Sequence, residues 1–340
     1  MTDRTAEITA FLHGAGWEDA ARVPLAGDAS LRRYVRLVRS DARAILMDAP
    51  PGTGEDVRPF LEIAEWLSRN GGSAPEILAG DIEAGLLLLE DLGDDLLARH
   101  AMRSPKEEPN LYAEAARLLV ELHRPDPPDR PSYLNEMPEL AATVVDWYAP
   151  NARAHRGAIR DALADVVDRH LTGSEVFVHR DYHAENLLWL PERRGTARIG
   201  VLDFQDAMRG PAEYDLASLI HDPRRAVADA AVAAATRAYL DASGADAETT
   251  ATRIAICSVQ RSLRIIGRVF TRLCLHSGRT SYLRFIPPTW AALQRELRHP
   301  ALAPVRRVLD GLLPEPDARW LADVEARAGT LHGRDHAGAE

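Results

Sequence analysis

Residues 177–206, FVHRDYHAENLLWLPERRGTARIGVLDFQD, constrain the fold more than any other part of the chain. Two short apolar runs, 187–190 and 199–202, are separated by a polar segment with a proline and a glycine, a pattern that predicts a β-hairpin. Asn186 directly precedes the first run and Asp203 directly follows the second, so the hairpin brings both side chains to the same end. With a second carboxylate nearby, this pair can hold Mg²⁺ against phosphate oxygens.

This stretch resembles the catalytic loop and the metal-binding segment of the kinase fold. The motif H-x-D-x-x-x-x-N followed by an Asp-Phe pair consists here of His179, Asp181, Asn186, Asp203 and Phe204. A second histidine, His183, and the continuation GPAEYDLA at 210–217 are similar to the aminoglycoside phosphotransferase branch, whose members phosphorylate small molecules. The elements occur in order and at the expected spacing, which makes the resemblance specific.

The resemblance implies an α+β, protein-kinase-like fold with two lobes: an N-lobe with an antiparallel β-sheet and a helix, and a mostly α-helical C-lobe. Apolar runs predict the N-lobe strands, and an apolar repeat of helical period predicts the helix at 57–68. We expect an N-lobe at 1–92, a C-lobe with the catalytic loop and the sugar site at 93–328, and a frayed polar tail at 329–340.

Two N-lobe segments are expected to contact ATP. A hairpin at 23–38 would cover the phosphates, and its turn offers backbone N–H groups and a hydroxyl through Gly27, Asp28 and Ser30. Taken alone, a turn of this composition is usually a plain hairpin. In the resembled fold the hinge between the lobes contacts the adenine through its backbone, which here includes Glu90 and Leu92.

The third predicted strand, RAILM at 43–47, departs from the kinase pattern. Kinases carry a phosphate-binding lysine on this strand, whereas Met47 occupies the position here and Lys106 is the only lysine of the chain. Arg32 and Arg33 are the nearest cations, and strand alternation directs one of them inward, where arginine can bind phosphate through two hydrogen bonds. The opposing interpretation is an inactive kinase, and the intact motif argues against it.

The resemblance also implies roles for the polar residues around the motif. Asp181 would orient the attacking hydroxyl and accept its proton, while Asn186 and Asp203 would hold Mg²⁺ on the phosphates of ATP. Asp215 would accept backbone hydrogen bonds from the catalytic loop. His179 and His183 would fix the loop, unless His183 contacts the metal-binding aspartate. Asp206 and Glu213 are expected to lie near the acceptor site. Both could bind sugar hydroxyls, or they could simply sit at the surface.

Four stretches narrow the choice of acceptor. GDASLRRY at 27–34, LMDAPP at 46–51, DFQDA at 203–207 and QRSLRIIG at 260–267 resemble the bacterial anomeric kinases for N-acetylmuramate and N-acetylglucosamine in cell-wall recycling. The resemblance spans residues 5–310, and in that group the methionine of LMDAPP is part of the pattern. It implies transfer of the ATP γ-phosphate to the C1 hydroxyl of the amino sugar.

The predicted helix at 251–276 carries a basic stripe on one face, formed by Arg261, Arg264, Arg268 and Arg272. Such a stripe is usually a solvated face. The alternative is a wall of the substrate site, on which Arg264 and Arg268 would bind the lactyl carboxylate of N-acetylmuramate.

Composition excludes several classes of protein. A net charge of −10 argues against a general nucleic-acid binder, and no apolar run reaches the length of a membrane span. Cys257 and Cys274 form no metal or redox motif, and the first residues lack the pattern of a secretory signal. We expect a cytoplasmic monomer that acts on a small-molecule amino sugar and binds neither nucleic acid nor membrane.

Two alternatives stay open on the sequence alone. One is another small-molecule kinase of the same branch, acting on an aminoglycoside, choline, homoserine or a different sugar. The other is a nucleotide-binding module without turnover. A protein kinase is disfavoured because the short distance from Asp203 to Asp215 leaves no room for a long activation segment.

Overall fold

The structure is a computed structural model and describes residues 4–25 and 32–331. The turn predicted at Gly27, Asp28 and Ser30 therefore lies outside the described residues. The strands of the described part are, in chain order, β1 Ala21–Pro24, β2 Arg33–Val38, β3 Arg43–Asp48, β4 Ile77–Asp81, β5 Leu86–Glu90, β6 Val176–Val178, β7 Leu187–Trp189, β8 Ile199–Val201 and β9 Met208–Gly210.

The helices of the described part are mostly short. They are α1 Arg4–Gly14, α2 Arg58–Arg69, α3 Leu97–Arg103, α4 Glu108–His123, α5 Met137–Ala142, α6 Val144–Trp147, α7 Arg156–His170, α8 Glu213–Ile220, α9 Asp229–Ser243, α10 Ala247–Arg264, α11 Arg272–Ser277, α12 Ile286–Glu296, α13 Ala303–Leu309 and α14 Ala318–Glu325. A π-helical segment, Ile265–Thr271, joins α10 to α11. Within the described ranges, no helix has both the length and the apolarity needed to cross a membrane.

The chain divides into two compact units. Unit 1 comprises Met1–Pro105 and Ala184–Ala207, and unit 2 comprises Lys106–His183 and Met208–Glu340. This division differs from the boundary expected at residue 92. Helix α3 contacts β7 and its Ala98 N–H donates to the Ala184 carbonyl at 3.0 Å, so both segments belong to unit 1.

Unit 1 is built on a five-stranded antiparallel sheet in the order β1–β2–β3–β5–β4. Helix α1 packs on the sheet through Leu12, which lies in one apolar cluster with Leu37, Leu46 and Leu88. Helix α2 buries the apolar face predicted from its period, formed by Phe60, Ile63, Ala64 and Leu67. Burial of these apolar faces stabilises the unit.

The β7–β8 hairpin predicted from the catalytic motif is present in unit 1. Its register pairs Leu187 with Val201. The N–H of Val201 donates to the Ser73 carbonyl, and the N–H of Trp189 donates to the Asp95 carbonyl, each at 2.8 Å. These bonds fix the hairpin to the rest of unit 1 and so fix the residues at its end.

Unit 2 is mostly helical, with α10 in contact with α5, α8 and α12. All residues of α8 are buried, including the carboxylates of Glu213 and Asp215. Strands β6 and β9 form a short antiparallel ladder in which Val178 pairs with Met208. The catalytic loop begins where β6 ends, so this ladder positions the loop.

The continuous helix predicted at 251–276 is wrong in its second half. After Arg264 the chain takes the wider turns of a π-helix before α11 begins. Gly267 lies in this segment, and a Cβ there would be 2.7 Å from Cα of Val144. Because a π-helix takes more residues per turn, side chains beyond Arg264 rotate away from the face that an uninterrupted α-helix would give them.

Candidate active site

The catalytic loop of unit 2 is held by the carboxylate of Asp215. Its Oδ2 accepts the N–H of His179 at 2.6 Å, and its Oδ1 accepts the N–H of Arg180 at 3.0 Å. Asp215 lies at 0% exposure on buried helix α8. A rigid acceptor therefore fixes two successive peptide groups directly before Asp181.

Further bonds within unit 2 set the shape of the loop. Arg180 has φ 77°, an unusual conformation for a residue other than glycine. Nδ1 of His179 accepts the N–H of Asp181 at 3.3 Å, and the Tyr182 hydroxyl donates to the carbonyl of Ala115 at 2.9 Å. The side chain of Asp181 remains 43% exposed, so a substrate hydroxyl can reach its carboxylate.

The charge of Asp181 is stabilised by arginines of α10. Nη2 of Arg264 lies 3.6 Å from Oδ1 of Asp181. Burial alone would raise the pKa of Asp181, but the charges of Arg264 and Arg261 outweigh it and lower the pKa to about 2. Asp181 is therefore ionised throughout the physiological range.

Two neighbours of Asp181 have pKa values shifted toward their neutral forms. Burial raises the pKa of Asp215 to about 6, although the charge of His179 and the two backbone N–H groups act in the opposite direction. Burial also lowers the pKa of His183 well below its usual value, and Arg224 lowers it further. His183 is consequently a neutral imidazole near neutral pH.

The hairpin of unit 1 brings Asn186 and Asp203 to one end. The N–H of Leu202 donates to the carbonyl of Asn186 at 2.9 Å, which extends the ladder up to these two residues. Asp203 has φ 59° and accepts a 2.9 Å hydrogen bond from Nε2 of Gln205. Phe204 between them is buried against Phe60 of α2, with ring centroids 4.7 Å apart.

This donor set fits Mg²⁺. Magnesium takes oxygen ligands and is usually held by one or two carboxylates together with substrate phosphates and water, rather than by a full protein cage. Asn186 and Asp203 supply one amide oxygen and one carboxylate. In residues 4–25 and 32–331 no group of three or more His, Cys, Asp or Glu side chains could hold a metal ion.

Arg32 lies on the same face of the sheet as the position of the missing lysine. The β2–β3 register places Tyr34 opposite Met47, and Arg32 lies two residues from Tyr34. The Arg32 side chain is 10% exposed and its Nε donates to Oε2 of Glu55 at 2.7 Å. Arg33, in contrast, is exposed. Of the two arginines expected as substitutes, Arg32 is the inward one.

Tyr34 connects this region electrostatically to the hairpin. Burial raises the pKa of the Tyr34 hydroxyl, the charge of Arg32 opposes that rise, and the charge of Asp203 adds to it. Arg32 and Asp203 therefore both act on Tyr34 within unit 1. A cation, a hydroxyl and a carboxylate in this proximity are suited to a phosphate chain.

The segment expected to contact adenine is tied to the sheet. The N–H of Glu90 donates to the Glu76 carbonyl at 2.8 Å, and the Glu90 carboxylate pairs with Arg193. Strand pairing therefore already uses the Glu90 N–H, while contact of the hinge backbone with adenine stays a prediction. Leu92 follows outside the strand and is half-buried.

Arg36 holds the same segment in place. Its guanidinium pairs with the carboxylates of Asp91 at 2.7 Å and of Asp94 at 2.8 Å. Arg36 was not predicted from the sequence, although its place on a strand with an acidic segment later in the chain offered a signal.

The residues expected to bind the sugar belong to both units. Asp206 is exposed in unit 1, whereas Glu213 is buried in α8 of unit 2 with its Oε2 2.9 Å from Nε of Arg253. Because Glu213 is buried, its expected position at the surface is wrong, whereas its binding to sugar hydroxyls stays a prediction.

The basic stripe on α10 is not one solvated face. Arg261 and Arg264 are 3% and 7% exposed, while Arg268 is exposed. Arg272 lies beyond the π-helix, with its guanidinium 5.7 Å from the Trp147 ring centroid. The π-helical segment separates the first two arginines from the others. Because Gln260 and Ser262 flank Arg261, the local sequence gave no clear signal that these arginines are buried.

Residues 22–252 match the model of the phosphotransferase enzyme family (APH). The chain belongs to this family. The catalytic loop, the hairpin and the bracing Asp215 all fall within the matched region.

Two relatives extend the similarity beyond that region. An N-acetylmuramate/N-acetylglucosamine kinase of Caulobacter vibrioides is 36% identical over 92% of this chain and 98% of its own length. A protein of the same name from Pseudomonas aeruginosa is 33% identical over 87% of this chain and 91% of its own length. The chain is therefore a phosphotransferase similar to these two over most of its length.

A solved structure confirms the predicted fold class. The choline/ethanolamine kinase family protein of Mesorhizobium loti matches with a TM-score of 0.58 at 18% identity, covering 95% of this chain and all of that one. At this identity the match shows the fold alone. The fold is the α+β, protein-kinase-like fold expected from the catalytic motif.

Proposed function

We propose that this chain transfers the γ-phosphate of ATP to the C1 hydroxyl of N-acetylmuramate and N-acetylglucosamine, as a cytoplasmic step of peptidoglycan recycling. The observation that carries the proposal is the similarity, over most of the chain, to two relatives that are both named for these sugars. The catalytic loop and the hairpin supply side chains suited to this reaction.

Asp181 is assigned to the acceptor hydroxyl. Its exposed carboxylate can accept a hydrogen bond from that hydroxyl and orient it, because Asp215 keeps the loop rigid. A pKa of about 2 makes Asp181 a weak base. A weak base suffices, since phosphoryl transfer depends mainly on positioning and charge neutralisation, and an anomeric hydroxyl is more acidic than an ordinary alcohol.

Asn186 and Asp203 are assigned to Mg²⁺. When bound, this ion neutralises charge on the phosphate oxygens of ATP. The Asp203 carboxylate is preorganised for that task by its left-handed backbone conformation and by the hydrogen bond from Gln205. The neighbouring Phe204 anchors the segment in the apolar interior of unit 1.

Arg32 is assigned to the nucleotide phosphates in place of a lysine. It is the inward arginine of its pair, lies on the face that Met47 shares, and is held by Glu55. A guanidinium keeps donors available while one nitrogen binds a carboxylate, because it has five N–H groups. The Arg32–Glu55 pair thus corresponds in chemistry to the lysine–glutamate pair of kinases.

The test is ATP consumption by the purified chain with a panel of acceptors, with the product identified by phosphorus NMR. We expect turnover of both amino sugars, with phosphorus coupled to the anomeric proton. Choline, homoserine and an aminoglycoside complete the panel, and Asp181→Asn is the inactive control. Turnover of another acceptor and of neither amino sugar would overturn the substrate assignment. Nucleotide binding without any transfer would favour the non-catalytic module.

A further inference from the structure

The guanidinium groups of Arg261 and Arg264 are buried beside Asp181 in unit 2. Their residues are 3% and 7% exposed. Within the described ranges, Nε of Arg261 and both Nε and Nη2 of Arg264 are buried without a hydrogen-bond partner. A buried donor without an acceptor costs free energy, and the cost is larger for a charged group. A site that keeps such donors is suited to an anion that arrives later.

The surrounding charges leave the pair short of negative charge. Asp222 accepts the N–H of Arg224 at 2.9 Å and lies near its guanidinium, and Glu108 pairs with Arg225. Arg261 also feels the charge of Asp222. The carboxylate closest to Arg264 is that of Asp181, at 3.6 Å, beyond hydrogen-bond distance. Two carboxylates, Asp181 and Asp222, are therefore shared among Arg224, Arg261 and Arg264.

The fold holds the pair rigidly. The Tyr214 hydroxyl lies against Arg264 and is 3.2 Å from the hydroxyl of Tyr133. The π-helix begins directly after Arg264, and π-helical turns within α-helices frequently occur at functional sites. The interruption keeps Arg264 inside while Arg268 reaches the surface.

We infer that Arg264, buried beside Asp181, contacts the phosphoryl group as it passes to the hydroxyl that Asp181 orients. The inference rests on the proposed function for the identity of the acceptor. Because Arg264 adjoins the carboxylate that holds the reacting hydroxyl, it lies beside the reacting oxygen of any acceptor. A substituent elsewhere on the sugar, such as a lactyl carboxylate, does not share that position.

The acceptor oxygen forms a bond to the γ-phosphorus, and the bond from that phosphorus to the β–γ bridging oxygen breaks, leaving ADP. The acceptor proton passes to Asp181. Negative charge on the equatorial oxygens of the transferred group is what the free donors of Arg264 would stabilise.

The first experiment measures kcat and KM for both amino sugars in Arg264→Ala. We expect kcat to fall ~10³-fold, on the order of the effect of an arginine that stabilises phosphoryl transfer, and to fall equally for the two sugars. Arg237→Ala, which removes an exposed arginine of α9, is the matched control. A loss confined to KM for N-acetylmuramate would mean that Arg264 binds the lactyl carboxylate instead. A kcat equal to that of the control would overturn the inference as well.

A structural role is distinguished by chemical rescue. Guanidinium ion added to Arg264→Ala should restore part of kcat, whereas a variant impaired only in packing gains nothing. Arg264→Lys keeps the charge but loses the planar donors, and it serves if the alanine variant does not fold; its kcat should lie between those of wild type and alanine variant. A lysine variant as active as wild type would contradict the inference.

A second experiment does not depend on the acceptor. Aluminium fluoride with Mg²⁺ and ADP mimics the transferred phosphoryl group, and calorimetry measures how much the fluoride tightens ADP binding. We expect tightening in wild type and its loss in Arg264→Ala, with the affinity for ADP alone unchanged. Equal tightening in both proteins, or none in wild type, counts against the inference. If wild type phosphorylates neither amino sugar but the tightening is still lost in Arg264→Ala, only the proposed substrate is wrong, and the inference about Arg264 stands.

Discussion

The buried arginines of unit 1 and unit 2 differ in whether their donors have hydrogen-bond partners. Arg32 of unit 1 has a carboxylate partner, Glu55, at 2.7 Å. Arg261 and Arg264 of unit 2 are buried, and in the described part of the chain they retain donors without partners. A paired cation is stable with or without a ligand, whereas buried unpaired donors gain most when negative charge reaches them.

The difference assigns the two sites to different stages of the reaction. Interactions present equally in ground state and transition state affect binding, while those made only in the transition state affect kcat. The paired Arg32 suits the phosphates of bound ATP, which keep their charge throughout. Arg264, whose Nε and Nη2 lack hydrogen-bond partners, suits charge that arrives with the transferred group. Kinetics can therefore separate the two sites.

The largest loss of activity is expected from a change in unit 2 at Asp181, the residue assigned to the acceptor hydroxyl. Asp181→Asn should lower kcat by at least ~10³-fold, because the amide neither accepts the proton nor orients the hydroxyl as a carboxylate does. Rapid-quench measurement reports the rate of phosphoryl transfer, and calorimetry reports the affinity for ATP. Nucleotide affinity should stay near that of wild type. A large loss of ATP binding would show that the two sites cannot be separated in this way.

The next effect is expected in unit 1. Arg32→Ala should raise KM for ATP on the order of tenfold, equivalent to about 1.4 kcal/mol, with a smaller change in kcat. Arg33→Ala is the matched comparison, since Arg33 is exposed on the same strand, and it should give the smaller change. If Arg33→Ala had the larger effect on KM, Arg32 would not be the arginine that binds the phosphates of ATP.

Stability of unit 2 tests why Arg264 and Arg268 differ in burial. Gly267→Ala would place a Cβ 2.7 Å from the backbone of Val144, so the π-helical segment or α6 must shift. We expect a loss of about 1–3 kcal/mol in the free energy of unfolding, measured by urea titration. Gly157→Ala in α7, where a Cβ meets nothing within 4 Å, is the control. Equal stability of both variants would mean that the close contact does not hold the π-helix.

The contrast also shows how far the sequence could predict the molecule. The motif predicted the hairpin and the end at which Asn186 and Asp203 meet, because strand pairing follows from local apolar pattern. Strand alternation likewise predicted that one of Arg32 and Arg33 points inward. The burial of Arg264 could not be predicted from a helical stripe, because the π-helix depends on the packing of Gly267 against another helix. The pairing of Glu213 with Arg253 likewise depends on tertiary packing.

The smallest effect is a pH dependence that belongs to the loop brace in unit 2. Asp181, with a pKa of about 2, stays ionised between pH 5 and pH 7, whereas Asp215, with a pKa of about 6, takes up a proton in that range. A neutral carboxyl accepts the two loop N–H groups more weakly, so kcat at saturating ATP should fall as pH drops through about 6.

Folding stability should move in the opposite direction. The pKa of Asp215 is raised above its ordinary value of 3.8, so its contribution to stability is fully present below that value and is lost as pH rises through about 6. At low pH, kcat would therefore fall while the contribution of Asp215 to folding stability is retained. Unfolding could not explain such a loss of kcat. Asp215→Asn should have a lower kcat that no longer varies through this range, and a flatter dependence of the urea midpoint on pH. An unchanged acid limb in that variant would assign the titration to the nucleotide phosphate rather than to Asp215.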